Sequence, residues 1–269
     1  MGRERDYVRT ELDGRIAILT VDRPPVNAYN YQTHREIHEA FVELEDDPGV
    51  RCVVLAAAGV DEGRPFGAGS DIKEFVALDP VTSLRRARDI RAYYAHLSNY
   101  PLPVVAAVEN VVLGSGLTWA SRADIRVIST SASLGMPELK AGALGGGKEL
   151  VRLFGPGKAR EMYYTGNQIE AEEAYRLGFG QRLVPEGKAL AEACALALEI
   201  AEQSRFGLLL AKEQMIAAEL IADREAAYKY ETELTAIFRA TPDASESARA
   251  FLEKRRPRFT TDTNMDGDV

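Results

Sequence analysis

Residues 104–124 read VVAAVENVVLGSGLTWASRAD, and this stretch decides the fold. It opens with the apolar run Val104–Val108, which has the length and the β-branched side chains of a buried strand. A turn follows at Gly114-Ser115-Gly116, and residues 117–120 are predicted to form the first turn of a helix. A helix that starts at such a corner directs free backbone N–H groups outward, with the positive end of its dipole behind them. The corner can bind an anion or a developing oxyanion, although glycines also occur there simply to let a helix pack on a sheet.

A second stretch has the same design. Residues 53–57 are another apolar run typical of a buried strand, and residues 66–75, FGAGSDIKEF, follow with small side chains and a helix start. Asp71 stands where it can cap that helix. If the two strands are parallel neighbours, each corner can offer one backbone N–H group to the same carbonyl oxygen. Such a pair of donors stabilises the enolate of a thioester.

Three motifs carry a family resemblance. FGAGSDIKE, LGSGLTWASRAD and SLGMPEL resemble the enoyl-CoA hydratase/isomerase (crotonase) superfamily in sequence, order and spacing. The likeness extends from RPPVNA at residues 23–28 to FLEKRRPRF at residues 251–259. It implies a substrate that is a thioester of coenzyme A.

The resemblance also implies the architecture. The expected fold is α/β, with a crotonase-like ββα spiral core over residues 1–205 that holds the CoA-thioester site. A C-terminal helical trimerisation region is expected over residues 206–259, so that the protein forms a homotrimer or a dimer of trimers. Residues 260–269 are polar and nearly free of apolar side chains, which predicts a disordered tail.

Roles for individual residues follow from the same resemblance. It implies that the backbone N–H groups of Ser70 and Ser115 form an oxyanion hole, and that Glu138 faces the α and β carbons of the acyl group. The positions that it implies for coenzyme A are Val26, Ala28, Ala68, Ser70, Asp71, Ile72, Lys73 and Lys254, of which Lys254 reaches a phosphate on the adjoining subunit. The resemblance implies no metal and no separate cofactor, because coenzyme A is part of the substrate.

Glu138 is the catalytic carboxylate that the family pattern retains. Considered alone, a glutamate beside Pro137 is an ordinary helix-start residue, which the helix dipole favours. A carboxyl group among apolar neighbours has a raised pKa and suits proton transfer near neutral pH. The family's other glutamate position, aligned through Asp124, is Thr118, whose hydroxyl cannot act as a carboxylate base. Glu149 is a candidate for a second acid.

The loss of one glutamate changes the expected reaction. Hydration needs one group to activate water and another to deliver a proton, whereas moving a double bond from the 3,4 to the 2,3 position needs a single base. We therefore expect an enoyl-CoA isomerase or a one-carboxylate enoyl-CoA hydratase. The alternatives within the family are a hydratase-lyase and a decarboxylative C–C bond-forming enzyme. The alternative outside enzymes is a catalytically silent structural or RNA-binding subunit, which the acidic net charge and Glu138 disfavour.

Several other side chains are open to a structural and a functional interpretation. The predicted helix at residues 81–99 carries Arg85, Arg86, Arg88 and Arg91. A run of charges usually forms a solvated face, and the alternative is that some of these arginines meet the phosphates of coenzyme A. The three histidines, His34, His38 and His96, match no metal or triad spacing and are expected at the surface or in helix packing.

Composition limits the partners and the compartment. The formal net charge of −8 at pH 7 argues against general binding to nucleic acid or anionic membranes. Cys52 and Cys194 have no metal-ligand spacing and are expected to be reduced thiols. The sequence has neither an apolar run long enough to span a membrane nor a secretory signal at its N-terminus, which predicts a cytoplasmic protein.

Overall fold

Two β-sheets form the centre of the fold in the computed structural model, which describes residues 5–259. Strands and helices are numbered in chain order. The larger sheet has the strand order β1 (Val8–Asp13), β2 (Ile16–Val21), β3 (Cys52–Ala57), β5 (Val104–Val108), β7 (Ile125–Ser129) and β10 (Arg182–Val184). The smaller sheet has the order β4 (Gly67–Ala68), β6 (Val111–Leu113), β8 (Ser133–Gly135) and β9 (Gln168–Glu170). Apart from the β1–β2 and β8–β9 pairs, neighbouring strands in both sheets are parallel.

Helices cover the sheets and extend beyond them. Those of the core are α1 (Tyr31–Glu45), α2 (Ile72–Val76), α3 (Pro80–Ser98), α4 (Gly114–Arg122), α5 (Gly147–Thr165), α6 (Ala171–Arg176) and α7 (Ala189–Ala201). Three more follow at the C-terminal end: α8 (Arg205–Leu220), α9 (Arg224–Arg239) and α10 (Pro242–Glu253). Within residues 5–259, no helix is both long enough and apolar enough to cross a membrane.

The larger sheet is buried on both faces, as its apolar strands predict. Every residue of β3 and β5 is buried, and side chains alternate between two core clusters on the two sides of the sheet. One side is covered by α7, which presents alanines at every fourth position: Ala189, Ala193, Ala197 and Ala201. These small side chains let α7 pack closely on Val54 and Val105.

Both predicted strand-to-helix corners are present and lie side by side. β3 and β5 are parallel neighbours, and beyond them β4 pairs in parallel with β6, with Ala68 opposite Leu113. The chain then enters α2 after β4 and α4 after β6. Asp71 caps α2 as predicted, since its side chain accepts a hydrogen bond from the Lys73 amide. Parallel pairing therefore brings the two corners to one edge of the smaller sheet.

Two helix boundaries differ from the sequence prediction. The Gly114-Ser115-Gly116 segment is not a turn before the helix, because α4 begins at Gly114 itself, directly after the extended residue Leu113. Similarly, the sequence pattern of residues 158–165 predicts a separate helix, whereas these residues are the second half of α5, which starts at Gly147. Gly155, with φ of 73°, bends α5 just before Pro156. Because of this Gly-Pro pair, the sequence pattern indicates a helix that starts after the bend.

The sequence pattern also predicts a helical hairpin over residues 206–240 and a last helix over residues 245–254, and these correspond to α8, α9 and α10. Helix α8 is tied to the core because Arg205 donates hydrogen bonds to the backbone carbonyl groups of Val50 and Glu45. The division at residue 205 and the trimeric assembly stay predictions. The predicted disordered tail, residues 260–269, lies outside the described residues.

Candidate active site

The two corners meet at two serines. Ser70 follows β4 and Ser115 is the second residue of α4, and their hydroxyl oxygens lie 2.8 Å apart. Glycines make this approach close: a Cβ added at Gly116 would lie 2.9 Å from the Cα of Gly67. A side chain at either position would push the corners apart, which is the physical reason for small residues in both motifs.

The backbone N–H groups of both serines are free of the hydrogen bonds that build the corners. Ser115 lies within the first four residues of α4, whose N–H groups have no acceptor within the helix. Ser70 pairs with Tyr29 in a short parallel bridge, but the two hydrogen bonds of that bridge come from the amides of Tyr29 and Asp71. Both predicted oxyanion-hole donors are therefore available to a ligand.

A cavity of about 540 Å³ opens at this junction. It lies between α1, α2, α3 and α4 and the loop that follows Glu138. Of the residues predicted from the sequence, it brings together Ser70, Asp71, Ser115, Thr118 and Glu138. The residues that sequence reasoning missed include three ring side chains, Tyr29, His34 and Tyr94, and the guanidinium group of Arg122.

Glu138 lies against the start of α4. The close approach is possible because residue 114 is glycine: a Cβ added there would lie 2.5 Å from the Glu138 Oε1 atom. Its Oε2 atom is buried and has no hydrogen-bond partner among the described residues. Burial raises the pKa of Glu138 to about 7, so the carboxyl group can both release and accept a proton near neutral pH.

Thr118 is the residue predicted to stand where the family pattern has another glutamate. Its side chain is buried and lines the cavity. The hydroxyl group donates its proton to the backbone carbonyl oxygen of Gly114 at 3.0 Å. Because that proton is already used, Thr118 can only accept a further hydrogen bond from a group in the cavity.

The other carboxylates that line the cavity are paired with arginines. Asp71 lies 2.6 Å from Arg23, and Glu74 lies 2.6 Å from Arg86. Arg86 comes from the Arg-rich helix α3 and lines the cavity, as does Arg91. The interpretation of that helix as a purely solvated face is therefore incomplete.

Glu149, the candidate second acid, lies elsewhere. It is buried between Arg122, at 3.3 Å, and Arg152, at 3.1 Å. It lines a second cavity and does not line the one that contains Glu138. Its carboxylate is thus committed to two ion pairs away from the serine corners.

The residues predicted to bind coenzyme A fall into two groups. Ala68, Ser70 and Ile72 line a recess beside Glu138, and Asp71 lines the main cavity. The others line neither: Val26, Ala28, Lys73 and Lys254. Lys254 ends α10 in a left-handed conformation with φ of 53°, and its side chain is exposed.

The histidines and cysteines are accounted for by packing. His34 is buried and accepts a hydrogen bond from the Trp119 indole at 3.1 Å, and burial lowers its pKa to about 3. Cys52 is buried and Cys194 is half-buried, and both are free thiols. Across residues 5–259, no group of three or more His, Cys, Asp or Glu side chains is arranged to hold a metal ion.

Comparisons with known proteins identify the family. Residues 11–262 match the family model described as Enoyl-CoA hydratase/isomerase. The chain is 35% identical over 259 residues to the Mycobacterium tuberculosis protein named "Probable enoyl-CoA hydratase echA8", covering 95% of this chain and 98% of the relative. It is 31% identical over 257 residues to the short-chain-enoyl-CoA hydratase of Clostridium acetobutylicum, covering 94% and 97%.

Solved structures give the same result. The crystal structure of an enoyl-CoA hydratase from Bacillus anthracis superposes with a TM-score of 0.89 at 27% identity, covering 95% of this chain and 100% of that one. A Geobacillus kaustophilus enoyl-CoA hydratase subunit superposes with a TM-score of 0.87 at 32% identity, covering 96% and 100%. The sequence motifs, the fold and these relatives agree, and the chain belongs to the enoyl-CoA hydratase/isomerase family, within the crotonase superfamily.

Proposed function

We propose that this protein acts on acyl-CoA thioesters and holds the thioester enolate with the backbone N–H groups of Ser70 and Ser115. Glu138 is the single proton-transfer group. The reaction that this arrangement supports best is the movement of a double bond from the 3,4 to the 2,3 position of an enoyl-CoA.

One observation carries the proposal. Among the carboxylates of residues 5–259 that line the cavity, Glu138 alone has no ion-pair or hydrogen-bond partner for a buried oxygen. Asp71 and Glu74 are held by arginines, and Thr118 has no carboxylate to contribute. The site thus has one proton acceptor beside two free amide donors.

One proton acceptor and two amide donors are sufficient for isomerisation. Glu138 as a carboxylate removes a proton from Cα of the 3-enoyl thioester, and the electrons move to the thioester oxygen to give a dienolate. The two serine amides stabilise the negative charge. Glu138 then returns the same proton to Cγ, which leaves the 2-enoyl thioester and the original carboxylate.

Hydration with one carboxylate is the second candidate, and the names of the relatives favour it. The Clostridium acetobutylicum relative is a short-chain-enoyl-CoA hydratase, and a Syntrophomonas wolfei relative, 30% identical over 253 residues, is a crotonyl-CoA hydratase. In this reaction Glu138 would take a proton from water as its oxygen attacks Cβ, and would deliver that proton to Cα.

The handling of coenzyme A completes the proposal. Ala68, Ser70, Asp71 and Ile72 are proposed to contact the bound thioester beside Glu138. We assign the exposed residues Val26 and Lys73 and the half-buried Ala28 to the nucleotide end of coenzyme A, and Lys254 to a phosphate on a neighbouring subunit of a trimer. No other cofactor is proposed, and the protein is proposed to work in the cytoplasm.

The decisive experiment assays purified protein with crotonyl-CoA and a 3-enoyl-CoA side by side. A third measurement follows exchange of the α protons of a saturated acyl-CoA with deuterium oxide, which requires enolate formation only. We expect α-proton exchange and conversion of the 3-enoyl substrate. Rapid hydration of crotonyl-CoA without action on the 3-enoyl substrate would overturn the preference for isomerisation. Inactivity in all three measurements would overturn the proposed function.

A further inference from the structure

Tyr94 is a polar residue of the cavity that neither the motifs nor the proposed function uses. It lies on α3, lines the cavity and packs against Trp119 of α4. Its side chain lines the same cavity as the side chains of Ser115, Thr118 and Glu138. The phenol thus stands among the three groups that define the candidate active site.

The Tyr94 ring is held on several sides. The Trp119 ring centroid is 4.9 Å away, His34 meets the ring edge-on at 5.6 Å, and the Arg122 guanidinium carbon lies 5.0 Å from its centroid. Arg122 also donates a hydrogen bond to the Tyr94 backbone carbonyl at 3.3 Å. These contacts fix the position of the hydroxyl group before any ligand arrives.

A hydrogen bond between the hydroxyl groups of Tyr94 and Thr118 can have only one direction. Thr118 gives its proton to the Gly114 carbonyl, so it can only accept from Tyr94. Burial raises the pKa of Tyr94, so the group stays a neutral phenol with a proton to donate. When that proton points at Thr118, a lone pair on the phenol oxygen is left for a donor in the cavity.

From this geometry we infer that Tyr94 binds the water molecule that adds to Cβ, in place of the glutamate that Thr118 replaces. The inference rests on the proposed function, and on its second reaction, hydration. Tyr94 would be a catalytic residue for hydration and would have no part in isomerisation.

The step balances with the groups present. Water donates one hydrogen bond to the Glu138 carboxylate and the other to the Tyr94 oxygen. These two hydrogen bonds orient the water so that a lone pair on its oxygen points toward Cβ. As the C–O bond forms, Glu138 takes the first proton, and the enolate charge collects on the thioester oxygen. Glu138 then protonates Cα, so the product is the 3-hydroxyacyl thioester and both side chains return to their starting state.

The test is the Tyr94→Phe variant, which keeps the ring and removes only the oxygen. We expect the kcat for crotonyl-CoA hydration to fall by about 10- to 100-fold, as for loss of a hydrogen bond that orients a reactant. The initial rate of 3-enoyl-CoA isomerisation should stay within about threefold of wild type, since no water takes part. The ratio of the two rates is the readout, because partial loss of folded enzyme lowers both rates equally.

Tyr93→Phe is the matched control, because Tyr93 is the neighbouring tyrosine of α3 but stacks on His38 at 4.6 Å and does not line the cavity. In the Tyr93→Phe variant, the ratio of the hydration rate to the isomerisation rate should equal that of wild type. Thr118→Val should lower the hydration kcat in the same direction as Tyr94→Phe, by less, since it removes only the acceptor that orients the phenol.

Three outcomes would overturn the inference while leaving the proposed function in place. They are an equal fall of both rates in Tyr94→Phe, an unchanged hydration rate in that variant, and a wild-type enzyme that isomerises but does not hydrate. A wild-type enzyme that acts on neither thioester and exchanges no α protons defeats the proposed function itself, which separates the two failures.

Discussion

Two cavities share Arg122, and each contains a glutamate that is at least partly buried. The first, about 540 Å³, contains Glu138, and the second, about 660 Å³, contains Glu149. Glu149 is the more buried of the two, yet it lies between Arg122 and Arg152. Within the described part of the chain, Glu138 has a buried oxygen without a hydrogen-bond partner, and burial raises its pKa to about 7. Burial alone therefore does not make a reactive carboxyl group; the absence of a compensating cation does.

The difference has a structural origin. The arginines beside Glu149 come from the end of α4 and from α5, so the packing of two helices supplies the cations. Glu138 instead faces the start of α4, where glycine leaves room for a carboxylate, and its buried Oε2 atom has no hydrogen-bond partner among residues 5–259. The C-terminal end of α4 thus supplies a cation that neutralises Glu149. The N-terminal end of α4 supplies none to Glu138, whose carboxyl group stays available for proton transfer.

The largest expected effect is a difference in turnover between variants of the two glutamates. Glu138→Gln keeps the shape and removes the base, so we expect turnover of the preferred thioester to fall by about 10³-fold or more. Glu149→Gln, the matched control, should stay within about threefold of wild type. Steady-state kinetics on both variants measures the comparison. Equal losses would contradict the distinction between the cavities, and an active Glu138→Gln would remove Glu138 from the mechanism.

The next effect tests whether the Glu138 cavity works through backbone amides. Ser70→Pro deletes one N–H donor and should lower turnover by about 10²-fold, in line with removal of one oxyanion-hole donor. Ser70→Ala keeps the N–H group and should be nearly silent, although it removes the 2.8 Å hydroxyl contact with Ser115. The kcat values of the two variants decide the matter, and a fully active proline variant would show that the Ser70 amide is not a donor in the reaction.

A smaller effect should appear in stability on the Glu149 side. Glu149→Gln leaves two arginines without their buried partner, and we expect it to lower the free energy of unfolding by about 1 to 3 kcal/mol. Glu219→Gln is the control, because Glu219 pairs with the same Arg152, at 3.6 Å, but its side chain is 65% exposed. That exposed pair should contribute less than about 0.5 kcal/mol. Urea unfolding of the two variants gives the difference, and similar values would mean that burial does not strengthen the Glu149 pairs.

The comparison also explains what the sequence could and could not predict. Strands β3 and β5, the two corners and the Asp71 cap follow from local patterns, and the structure confirms them. The start of α4 was placed three residues too late, because glycines usually favour turns and here serve close packing against β4. Glu138 was identified through the family motif, since a local pattern cannot distinguish it from a helix-start residue. The Arg122–Glu149 pair and the place of Tyr94 were not predictable, because both depend on side chains from separate helices.

The smallest effect concerns the energetic cost of keeping Glu138 without a cation. Its pKa is about 7 in the folded protein against an ordinary value of 4.5, so folding favours the protonated form. The folded state is therefore most favoured at low pH, and this contribution is lost as the pH rises through about 7. Because the group is partly exposed, we expect Glu138→Gln to be about 1 to 2 kcal/mol more stable than wild type at pH 8, with the gap closing toward pH 4.5. Denaturant unfolding across that pH range measures it.

The same ionisation should govern the reaction in the opposite direction. Isomerisation needs the carboxylate form, so kcat/KM should rise with pH and level off above about 7. Activity would thus appear over the pH range in which the side chain destabilises the fold, which is the expected relation for a catalytic group held without a partner. A stability difference that does not vary with pH would contradict the raised pKa. A stability difference that follows pH while kcat/KM does not would separate burial of Glu138 from its role as the base.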